Sequence, residues 1–289
     1  MEHNCNIECE DDEQNRPIHW ASWNGHADVV RLLIDRNCNI ECENDGQNRP
    51  IHWASLNGHA DVVRLLIDRN CNIECEDNEQ RRPIHYASWN GHANVVRLLI
   101  DRNCNIECED NEQNRPIHYA SMNGHADVQN RPIHYASEKG HADVVRLLID
   151  RNCNIECEDN EQRRPIHYAS WNGHAEVVRL LIDRNCNIEC ENKWQNRPIH
   201  WASLNGHADV VRLLIDRNCN IECENKWQER SIHYASWNGH AEIIQLLMLN
   251  KCQIECKTKG GQTPLDLARL NNKMDCAELL SNGKTLIKV

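Results

Sequence analysis

The amino-acid sequence predicts an all-α solenoid built from stacked helix–turn–helix units. The first observation is a proline-marked repeat of 33 residues that runs through nearly the whole chain. A fixed period of this length is typical of a repeat array. The second observation is that each unit carries two short helical patterns separated by Asn-Gly. One unit has too few apolar side chains to offset the entropy of ordering itself, so the units must stack on their neighbours.

The marker proline fixes the register of the repeats. It stands at Pro17, Pro50, Pro83, Pro116, Pro132, Pro165, Pro198 and Pro264, and Ser231 takes its place once. The spacing is 33 residues everywhere except between Pro116 and Pro132, where it is 16. The unit that begins at Pro116 is therefore truncated, because nearly all of its second helix and the following loop are missing.

Each full unit predicts the same local structure. The first helix begins at Pro50, which suits the first position of a helix, and Asn57-Gly58 ends it. Ala60 to Arg69 predicts a second helix with a broad apolar stripe. Asn70 stands where a left-handed residue closes a helix, and residues 71–79 are predicted to be extended or turn-like.

These residues resemble the ankyrin repeat, whose pattern runs Thr-Pro-Leu-His, Gly-His, Val-Val-x-Leu-Leu-Leu and Gly-Ala-Asp-Val-Asn-Ala. The corresponding segments here are Arg49-Pro50-Ile51-His52, Gly58-His59, Val62-Val63-Arg64-Leu65-Leu66-Ile67 and Asn70-Cys71-Asn72-Ile73-Glu74-Cys75. The last copy, Thr263-Pro264-Leu265-Asp266-Leu267-Ala268, is closest to the pattern. The resemblance covers almost the whole chain. It implies antiparallel helix pairs with projecting β-hairpin-like loops, and a family role in binding other proteins.

Three departures from the family pattern bear on the loops and helix ends. Arg49 replaces the threonine that caps the first helix, so we expect that cap to be weakened or replaced by another group. Gln47 replaces the glycine of the loop turn, which is expected to loosen the hairpin. Asn70 replaces a glycine after the second helix, a milder change because asparagine tolerates the left-handed region.

Composition narrows the function classes. The 289 residues carry a net charge of −12, which disfavours nucleic acid and anionic membranes as partners. No apolar run approaches the length of a membrane span, and no signal peptide opens the sequence. We expect a monomer without a cofactor.

The 17 cysteines raise the possibility of a disulfide framework or a metal protein. All but Cys276 form Cys-x-x-x-Cys pairs: Cys5/Cys9, Cys38/Cys42, Cys71/Cys75, Cys104/Cys108, Cys153/Cys157, Cys186/Cys190, Cys219/Cys223 and Cys252/Cys256. Both members of a pair occupy alanine positions of the family pattern, where a buried thiol acts as a small hydrophobe. We therefore expect free buried thiols and a reducing, cytoplasmic location.

The truncated unit suggests a division of the chain. We predict an N-terminal stack over residues 1–128, made of a half repeat, three full repeats and the truncated repeat at 116–131. A C-terminal stack over residues 129–289 would end in a cap repeat at 264–283. A purposeless deletion between near-identical copies explains the truncation best. For the half repeat at the start, either the uncovered face of the first helix pair binds something or the sequence is a fragment of a longer protein, and the fragment explains it better.

Histidines form two columns, one after Pro-Ile and one after Gly. No metal-ligand spacing such as His-x-x-x-His occurs, so we expect each ring to bond backbone groups rather than a metal. Serine, aspartate and glutamate recur at core, loop or helix-start positions in every unit. The sequence therefore predicts neither a metal site nor catalytic residues.

Aromatic residues form the candidate partner-binding surface. A first column follows the first histidine: Trp20, Trp53, Tyr86, Tyr119, Tyr135, Tyr168, Trp201 and Tyr234. A second column lies three residues later, on the same helix face: Trp23, Leu56, Trp89, Met122, Trp171, Leu204 and Trp237, with Glu138 interrupting it. Trp194 and Trp227 place aromatic rings in two loops, whereas the corresponding loops of earlier repeats are acidic. The resemblance implies that both columns line a concave groove, and large exposed aromatics mark interfaces.

The sequence thus predicts a non-catalytic scaffold or adaptor that binds proteins or peptides, with basic residues favoured in the partner by the acidic loops. One alternative is a thiol- or metal-buffering protein, which rapid reaction of most cysteines in the native state would support. Another is the repeat fragment of a larger multidomain enzyme.

Overall fold

A computed structural model describes residues 6–122 and 141–286, with side chains described as far as residue 283. Over those residues the chain forms sixteen α-helices and no β-strand. The helices come in consecutive pairs, which confirms the all-α, helix–turn–helix repeat class that the sequence predicts. None of the described helices is both long enough and apolar enough to cross a bilayer.

The two helices of a pair are called here the first and the second helix. The first helices are α1 (Pro17–Trp23), α3 (Pro50–Leu56), α5 (Pro83–Trp89), α7 (Pro116–Met122), α9 (Pro165–Trp171), α11 (Pro198–Asn205), α13 (Ser231–Asn238) and α15 (Pro264–Leu270). The second helices are α2 (Ala27–Asp35), α4 (Ala60–Asp68), α6 (Ala93–Asp101), α8 (Ala142–Asp150), α10 (Ala175–Asp183), α12 (Ala208–Asp216), α14 (Ala241–Leu249) and α16 (Met274–Leu286).

The turn between the two helices depends on glycine. Gly58 has a φ of 74°, and a Cβ there would lie 2.4 Å from the ring of His92 in the next repeat. The second helix then buries its apolar stripe, with Val62, Val63 and Leu66 fully inaccessible to solvent. Within this part of the chain, each helix pair therefore packs against the following pair through its second helix, as α2 does on α4 and α4 on α6.

A histidine, rather than the missing threonine, completes the start of the first helix. His52 Nδ1 accepts a hydrogen bond of 2.9 Å from the backbone N–H of Arg49, and His52 Nε2 lies 3.1 Å from the carbonyl oxygen of Cys75. The ring thus joins its own helix start to the loop of the next repeat. The final pair keeps the family's threonine, since Thr263 Oγ1 accepts from the backbone N–H of Asp266 at 3.2 Å.

The arginine at the helix start joins a row of ion pairs that runs along the loops. The Arg49 guanidinium pairs with Glu41 and, at 2.8 Å, with Glu43. The same Glu41 carboxylate accepts the backbone N–H of Asn72, 31 residues further on, at 2.7 Å. This row of arginines and glutamates recurs in both units, which are defined below. Where the family's threonine would cap its own helix, the arginine instead takes part in a contact that spans two repeats.

The loops between repeats contain tight turns with left-handed residues. The backbone N–H of Asn44 donates to the carbonyl oxygen of Asn48 at 3.1 Å, as in a hairpin turn. Gln47 lies inside this turn with a φ of 57°. Asn70 has φ 58° after the second helix, which confirms the left-handed conformation expected there. Neighbouring loops are linked by single backbone bonds such as Asn78 N–H to Gly46 O at 3.1 Å. The loop turn is closed despite its glutamine, so the expected loosening is not observed.

The described helices fall into two compact units. Unit 1 contains α1–α8 and unit 2 contains α9–α16. In unit 1 each first helix packs on the next first helix and each second helix on the next second helix, and the same order holds within unit 2. The predicted division at residues 128 and 129 lies outside the described residues and stays a prediction, as does the capping role of repeat 264–283.

Unit 1 ends in a composite helix pair. α8 packs against α7 as a second helix packs on its own first helix elsewhere, although residues 123–140 lie between them in sequence. His141 Nε2 lies 3.0 Å from Trp89 O, and Arg151 pairs with Asp101 at 2.9 Å, as their counterparts do in complete repeats. The predicted C-terminal stack, residues 129–289, includes α8, and the contacts of α8 in the structure are with α6 and α7 of unit 1.

Candidate protein-binding surface

The second column is the more open of the two predicted columns. Trp23, Trp171 and Trp237 are exposed by 39%, 41% and 47%. Leu56, Trp89, Met122 and Leu204 are half-buried. Trp and Leu occupy equivalent positions without changing the helices, which indicates that packing does not dictate the side chain there.

The first column divides by residue type. Trp20 is exposed, and Trp53, Trp201 and Tyr234 are half-buried. Tyr86, Tyr119 and Tyr168 are buried, so the expectation that they face a partner was wrong. Tyr135 and Glu138 lie outside the described residues.

A hydrogen bond to the preceding loop explains why these three tyrosines are buried. The Tyr86 hydroxyl donates to the Asp77 carboxylate, and Tyr119 and Tyr168 donate in the same way to Asp110 and Asp159. Burial and the neighbouring carboxylate both raise the pKa of Tyr86. The pairing was readable in the sequence, since an aspartate stands nine residues before each of these tyrosines.

The exposed rings are held in place by aromatic neighbours from the next repeat. The Trp23 and Trp53 ring centres are 4.7 Å apart in an edge arrangement. Trp89 stacks on Tyr119 at 4.8 Å, and Trp171 lies 4.4 Å from Trp201. In these three contacts a second-column ring rests on a first-column ring, so Trp23, Trp89 and Trp171 are ordered before any partner arrives.

Two small cavities open between the columns and the loops. One, of about 190 Å³ in unit 1, is lined by Glu13, Asn15, His19, Trp20, Trp23 and Trp53. The other, of about 170 Å³ in unit 2, is lined by Leu204, Glu229, His233, Tyr234, Trp237 and Leu267. Each cavity combines aromatic walls with a glutamate, which suits a side chain that has an apolar stem and a cationic end.

A larger cavity of about 720 Å³ lies between α14 and α16, where sequence reasoning predicted nothing. It is lined by Gln245, Met248, Leu249, Lys251, Cys252, Gln253, Ile254, Leu279 and Gly283. Its walls combine Gln245, Met248 and Leu249 of α14 with the following loop and the last helix. No periodic pattern singles out these residues, so no sequence signal could have found it.

The loops differ in charge between the units. In unit 1 the exposed loop residues include Asp12, Glu13, Asp45 and Glu79, whereas the leading Asp77 is buried. In unit 2, Trp227 is 46% exposed beside Lys226, and the Lys193 ammonium lies 4.9 Å from the centre of the half-buried Trp194 ring. The loops of unit 1 therefore favour cationic partners more than those of unit 2.

The repeated histidines and cysteines form buried neutral pairs. The Cys75 sulfur lies 3.6 Å from His52 Nε2. Burial raises the pKa of the Cys75 thiol to about 12 and lowers the pKa of His52 to about 4. Every cysteine in the described ranges is a free thiol, and no cluster of three potential metal ligands occurs there. A protonated thiol beside a neutral imidazole is a poor nucleophile near neutral pH.

The second histidine column also bonds the backbone, as expected. His59 Nε2 lies 2.9 Å from Trp23 O in the preceding repeat, and His207 Nε2 lies 2.8 Å from Trp171 O. These bonds fix the ends of the first helices that carry the exposed tryptophans. The histidines therefore position the surface rather than form part of it.

Comparison with known proteins agrees with these repeats. A family model described as ankyrin repeats, in three copies, matches residues 1–77, 51–130, 126–193 and 199–288. A search of curated proteins found no match.

Proposed function

Because the chain belongs to the ankyrin-repeat family, we propose that it is a non-catalytic scaffold or adaptor that binds protein or peptide partners along its first helices. Ankyrin repeats generally mediate protein–protein interaction, and proteins built from them are typically non-enzymatic. The binding residues proposed in unit 1 are Trp20, Trp23, Trp53, Leu56, Trp89 and Met122. Those proposed in unit 2 are Trp171, Trp194, Trp201, Leu204, Trp227, Tyr234 and Trp237.

The exposure of the second column is the observation that carries this proposal. Trp237 keeps nearly half of its surface open to solvent although Ile232 and Ala235 on the same helix are buried. Leaving a large indole in water gains nothing for folding. Trp, Tyr and Arg dominate the residues that carry binding energy in protein interfaces.

The partner proposed for unit 1 carries basic residues. The loops of unit 1 expose Asp12, Glu13 and Asp45, and the whole chain has a net charge of −12. Charges of opposite sign on the partner would accelerate association and fix its register. We propose binding as a monomer, without a cofactor.

A reducing, cytoplasmic location is part of the proposal. The described thiols are free and nearly all buried, and such thiols persist best where disulfides are kept reduced. The same burial speaks against the thiol-buffering alternative, because a buffer needs accessible thiolates. Nothing in the described residues favours the alternative of an enzyme fragment over the scaffold.

Partner capture from reduced cell extract tests the proposal. The bait is the full chain, beside a triple variant in which Trp23, Trp171 and Trp237 are changed to leucine. Leucine occupies the equivalent positions 56 and 204, so the variant should keep its helical circular dichroism. We expect partners of the native chain to be lost or at least roughly tenfold depleted, since truncated interface tryptophans cost ~2 kcal/mol or more each.

A matched control removes an exposed apolar side chain from a second helix. Leu249 on α14 is 79% exposed, and Leu249→Asn should leave capture unchanged. Retention of the same partners by the triple variant would contradict a binding surface on the first helices. It would favour the loops or the ends of the array instead.

A further inference from the structure

Three successive loops of unit 2 carry a lysine at their tip. Lys193, Lys226 and Lys259 occupy the same repeat position, and all three are exposed. These residues are called here the tip lysines. The earlier loops have acidic or uncharged residues at that position, namely Asp12, Asp45, Asn78, Asn111 and Asn160. The charge at the loop tips therefore changes from negative or neutral to positive along the chain.

The residues on either side of the tip also become less acidic. In unit 1, Asp77 and Glu79 flank the tip residue Asn78. The residues that flank the tip lysines are uncharged: Asn192 and Trp194, Asn225 and Trp227, and Thr258 and Gly260. Relative to that loop of unit 1, each of these three tips therefore gains one lysine and loses two carboxylates.

Backbone hydrogen bonds align the three tips in one row. The Lys226 N–H donates to Trp194 O at 3.2 Å, and the Lys259 N–H donates to Trp227 O at 2.8 Å. Each of these tryptophans directly follows a tip lysine in the sequence. Lysines and indole rings therefore alternate along the row, and backbone bonds rather than side-chain contacts set their order.

Other carboxylates of these loops are already paired with arginine. The arginines at the helix starts bind the loop glutamates in pairs: Glu189 and Glu191 with Arg197, and Glu222 and Glu224 with Arg230. These glutamates therefore compensate the charge of the arginines rather than that of the tip lysines.

The first tip lysine has two contacts of its own and remains accessible. The Lys193 ammonium lies 4.0 Å from the Glu161 carboxylate, which also pairs with Arg163 at 3.0 Å. The same ammonium lies 4.9 Å from the centre of the Trp194 ring. The Lys193 side chain is still 49% exposed, so a partner can reach it.

The other two tip lysines have no charged partner. Among the residues that the structure describes, neither Lys226 nor Lys259 forms an ion pair. Glu229, three residues after Lys226, accepts a hydrogen bond from the Tyr234 hydroxyl at 2.7 Å. Trp227 beside Lys226 is 46% exposed. An unpaired ammonium and a large apolar ring are thus neighbours on the surface of unit 2.

We propose that this row binds an acidic, extended segment of a partner protein, with carboxylates on the tip lysines and an apolar side chain on Trp227. Opposite charges accelerate association and fix the register of a partner, and tryptophan often carries much of the binding energy in interfaces. Nucleic acid, the competing polyanion, is disfavoured by the net charge of −12. The proposal rests on the proposed function, since it names the chemistry of one partner segment and where that segment lies.

The repeat geometry sets the spacing of the acidic residues in that segment. Helices of adjacent pairs pack about 8–10 Å apart, so successive tip lysines are separated by about that distance. An extended chain advances about 3.3 Å per residue. Carboxylates at every third residue therefore match the row, whereas three consecutive carboxylates span only about 7 Å and do not.

Titration of the full chain with a synthetic peptide tests the proposal at about 50 mM salt, where surface charges are only partly screened. The probe is acetyl-Asp-Phe-Gly-Asp-Phe-Gly-Asp-amide. One control peptide has asparagine for each aspartate, and a second has the same composition with its three aspartates consecutive. Binding is followed by the NMR shifts of the Trp194 and Trp227 indole N–H groups, assigned with single Trp→Phe variants.

We expect saturable shifts of both indole groups with the probe. The asparagine peptide should bind roughly tenfold more weakly, because three charge pairs are lost. The peptide with consecutive aspartates should bind roughly threefold more weakly, because it cannot engage the whole row.

Residues that the chain already carries at equivalent positions provide the variants. Lys226→Asn introduces the residue found at position 78 and should weaken probe binding by roughly threefold. Trp227→Gly introduces the residue found at position 260 and should weaken it by at least roughly threefold, as read from Trp194.

Lys251→Asn is the matched control. It removes the same charge from an exposed position outside the row. Asn218 stands at the equivalent position of the preceding repeat, with φ 59° against 64° for Lys251, so the backbone accommodates the change. This variant should bind the probe as the native chain does.

Four results would overturn the proposal. These are equal binding of the aspartate and asparagine peptides, equal binding of the spaced and consecutive aspartates, equal effects of Lys226→Asn and Lys251→Asn, and tighter binding of a single-stranded oligothymidylate than of the probe. The scaffold function would survive each of them, because its test depends on Trp23, Trp171 and Trp237 of the first helices. Capture that does not depend on those tryptophans would conversely contradict that surface and leave the peptide result standing.

Discussion

At the residue scale, the histidines that follow the marker proline and isoleucine show how a buried imidazole can be neutral and have both ring nitrogens hydrogen-bonded. His200 is 1% exposed, its Nδ1 accepts the N–H of Arg197 at 2.9 Å, and its Nε2 lies 3.1 Å from Cys223 O. One nitrogen must accept and the other must donate, so the ring is held as the neutral Nε2–H tautomer. Protonation would add a second donor with no acceptor and place a charge in the core.

This predicts acid destabilisation over a defined pH window. Burial lowers the pKa values of His52, His85, His167 and His200 to about 4, from an ordinary value of 6.5. Between those limits the unfolded chain binds protons that the folded chain does not, so stability falls as the pH drops from 6.5 towards 4. Each histidine contributes up to roughly 1.4 kcal/mol per pH unit in that window and no pH dependence above it.

Urea unfolding followed by circular dichroism measures this effect at about pH 7 and about pH 5. We expect a clearly lower midpoint at the more acidic pH. His52→Gln keeps a donor and an acceptor but does not titrate, so its midpoint should shift less between the two conditions. Equal midpoints for the native chain would show that these rings are not held neutral.

The first-column rings differ in the group with which they bond the preceding loop. Tyr168 donates to Asp159 and is buried, whereas Trp20 uses its indole N–H on Asp11 and stays open. Tyr168 and Trp20 occupy equivalent helical positions in their repeats, and each bonds the equivalent aspartate of its own loop. Trp53 and Trp201 at the same position are half-buried.

At the scale of single elements, the loop turn carries a conformational cost that the family's glycine avoids. Gln47, Gln80 and Gln113 have φ values of 57°, 58° and 61°. A residue with a Cβ loses roughly 1–2 kcal/mol of stability when it adopts the left-handed region. The turn is closed by the Asn44 and Asn48 backbone bond and by Asn44 Oδ1, which accepts from Asn48 N–H at 2.9 Å.

Gln47→Gly should therefore stabilise the chain by about 0.5–1 kcal/mol, after allowance for the greater entropy of glycine in the unfolded state. The measurement is the urea midpoint relative to the native chain. Gln47→Ala keeps the Cβ and should gain little or nothing. Destabilisation by glycine would mean that the glutamine side chain itself supports the loop.

The arginine–glutamate row replaces local capping with contacts between elements. Arg197 pairs with Glu189 and Glu191, while Glu189 also accepts the N–H of Asn220 at 2.6 Å. Individual partly exposed ion pairs stabilise little, but a shared carboxylate fixes the register of adjacent loops. The row also neutralises much of the acidity that the sequence assigns to the loops.

At the scale of the whole molecule, the truncated repeat changes which helix completes unit 1. Its first helix α7 is followed by α8, and the bond from Asn154 N–H to Glu107 at 2.7 Å repeats the loop contact of complete repeats. Exposing the apolar face of a second helix to water would be unfavourable. α7 therefore packs against α8, which is the next second helix along the chain. A long connection between packed elements adds only a modest entropic cost.

Deleting residues 125–140 tests this pairing, because it joins Gly124 to His141 and restores the period of 33. We expect the helix pair to remain and unit 1 to gain about 1–2 kcal/mol from the shorter connection. The measurement is the thermal unfolding midpoint with the helical circular dichroism signal of the native chain. A lower midpoint, or loss of helical signal, would mean that α8 does not normally pair with α7.

The sequence by itself determined the repeat class, the positions of the helices, the left-handed asparagines and the backbone role of the histidines. Those features follow from short-range rules: a proline at the helix start, a stripe of Val and Leu, and Asn-Gly at the turn. The second column was also predictable, because positions that accept Trp, Leu and Met alike are not core positions.

Only the tertiary structure decided the burial of Tyr86 and the pairing of α7 with α8. Each depends on contacts between loops and helices that are distant in the chain or differ from repeat to repeat by one side chain. Asn15 and Arg81 stand at the same repeat position, where Arg81 forms ion pairs with two loop carboxylates and Asn15 forms hydrogen bonds with the corresponding two. Periodicity predicts what the repeats share, whereas packing and charge pairing decide where they differ.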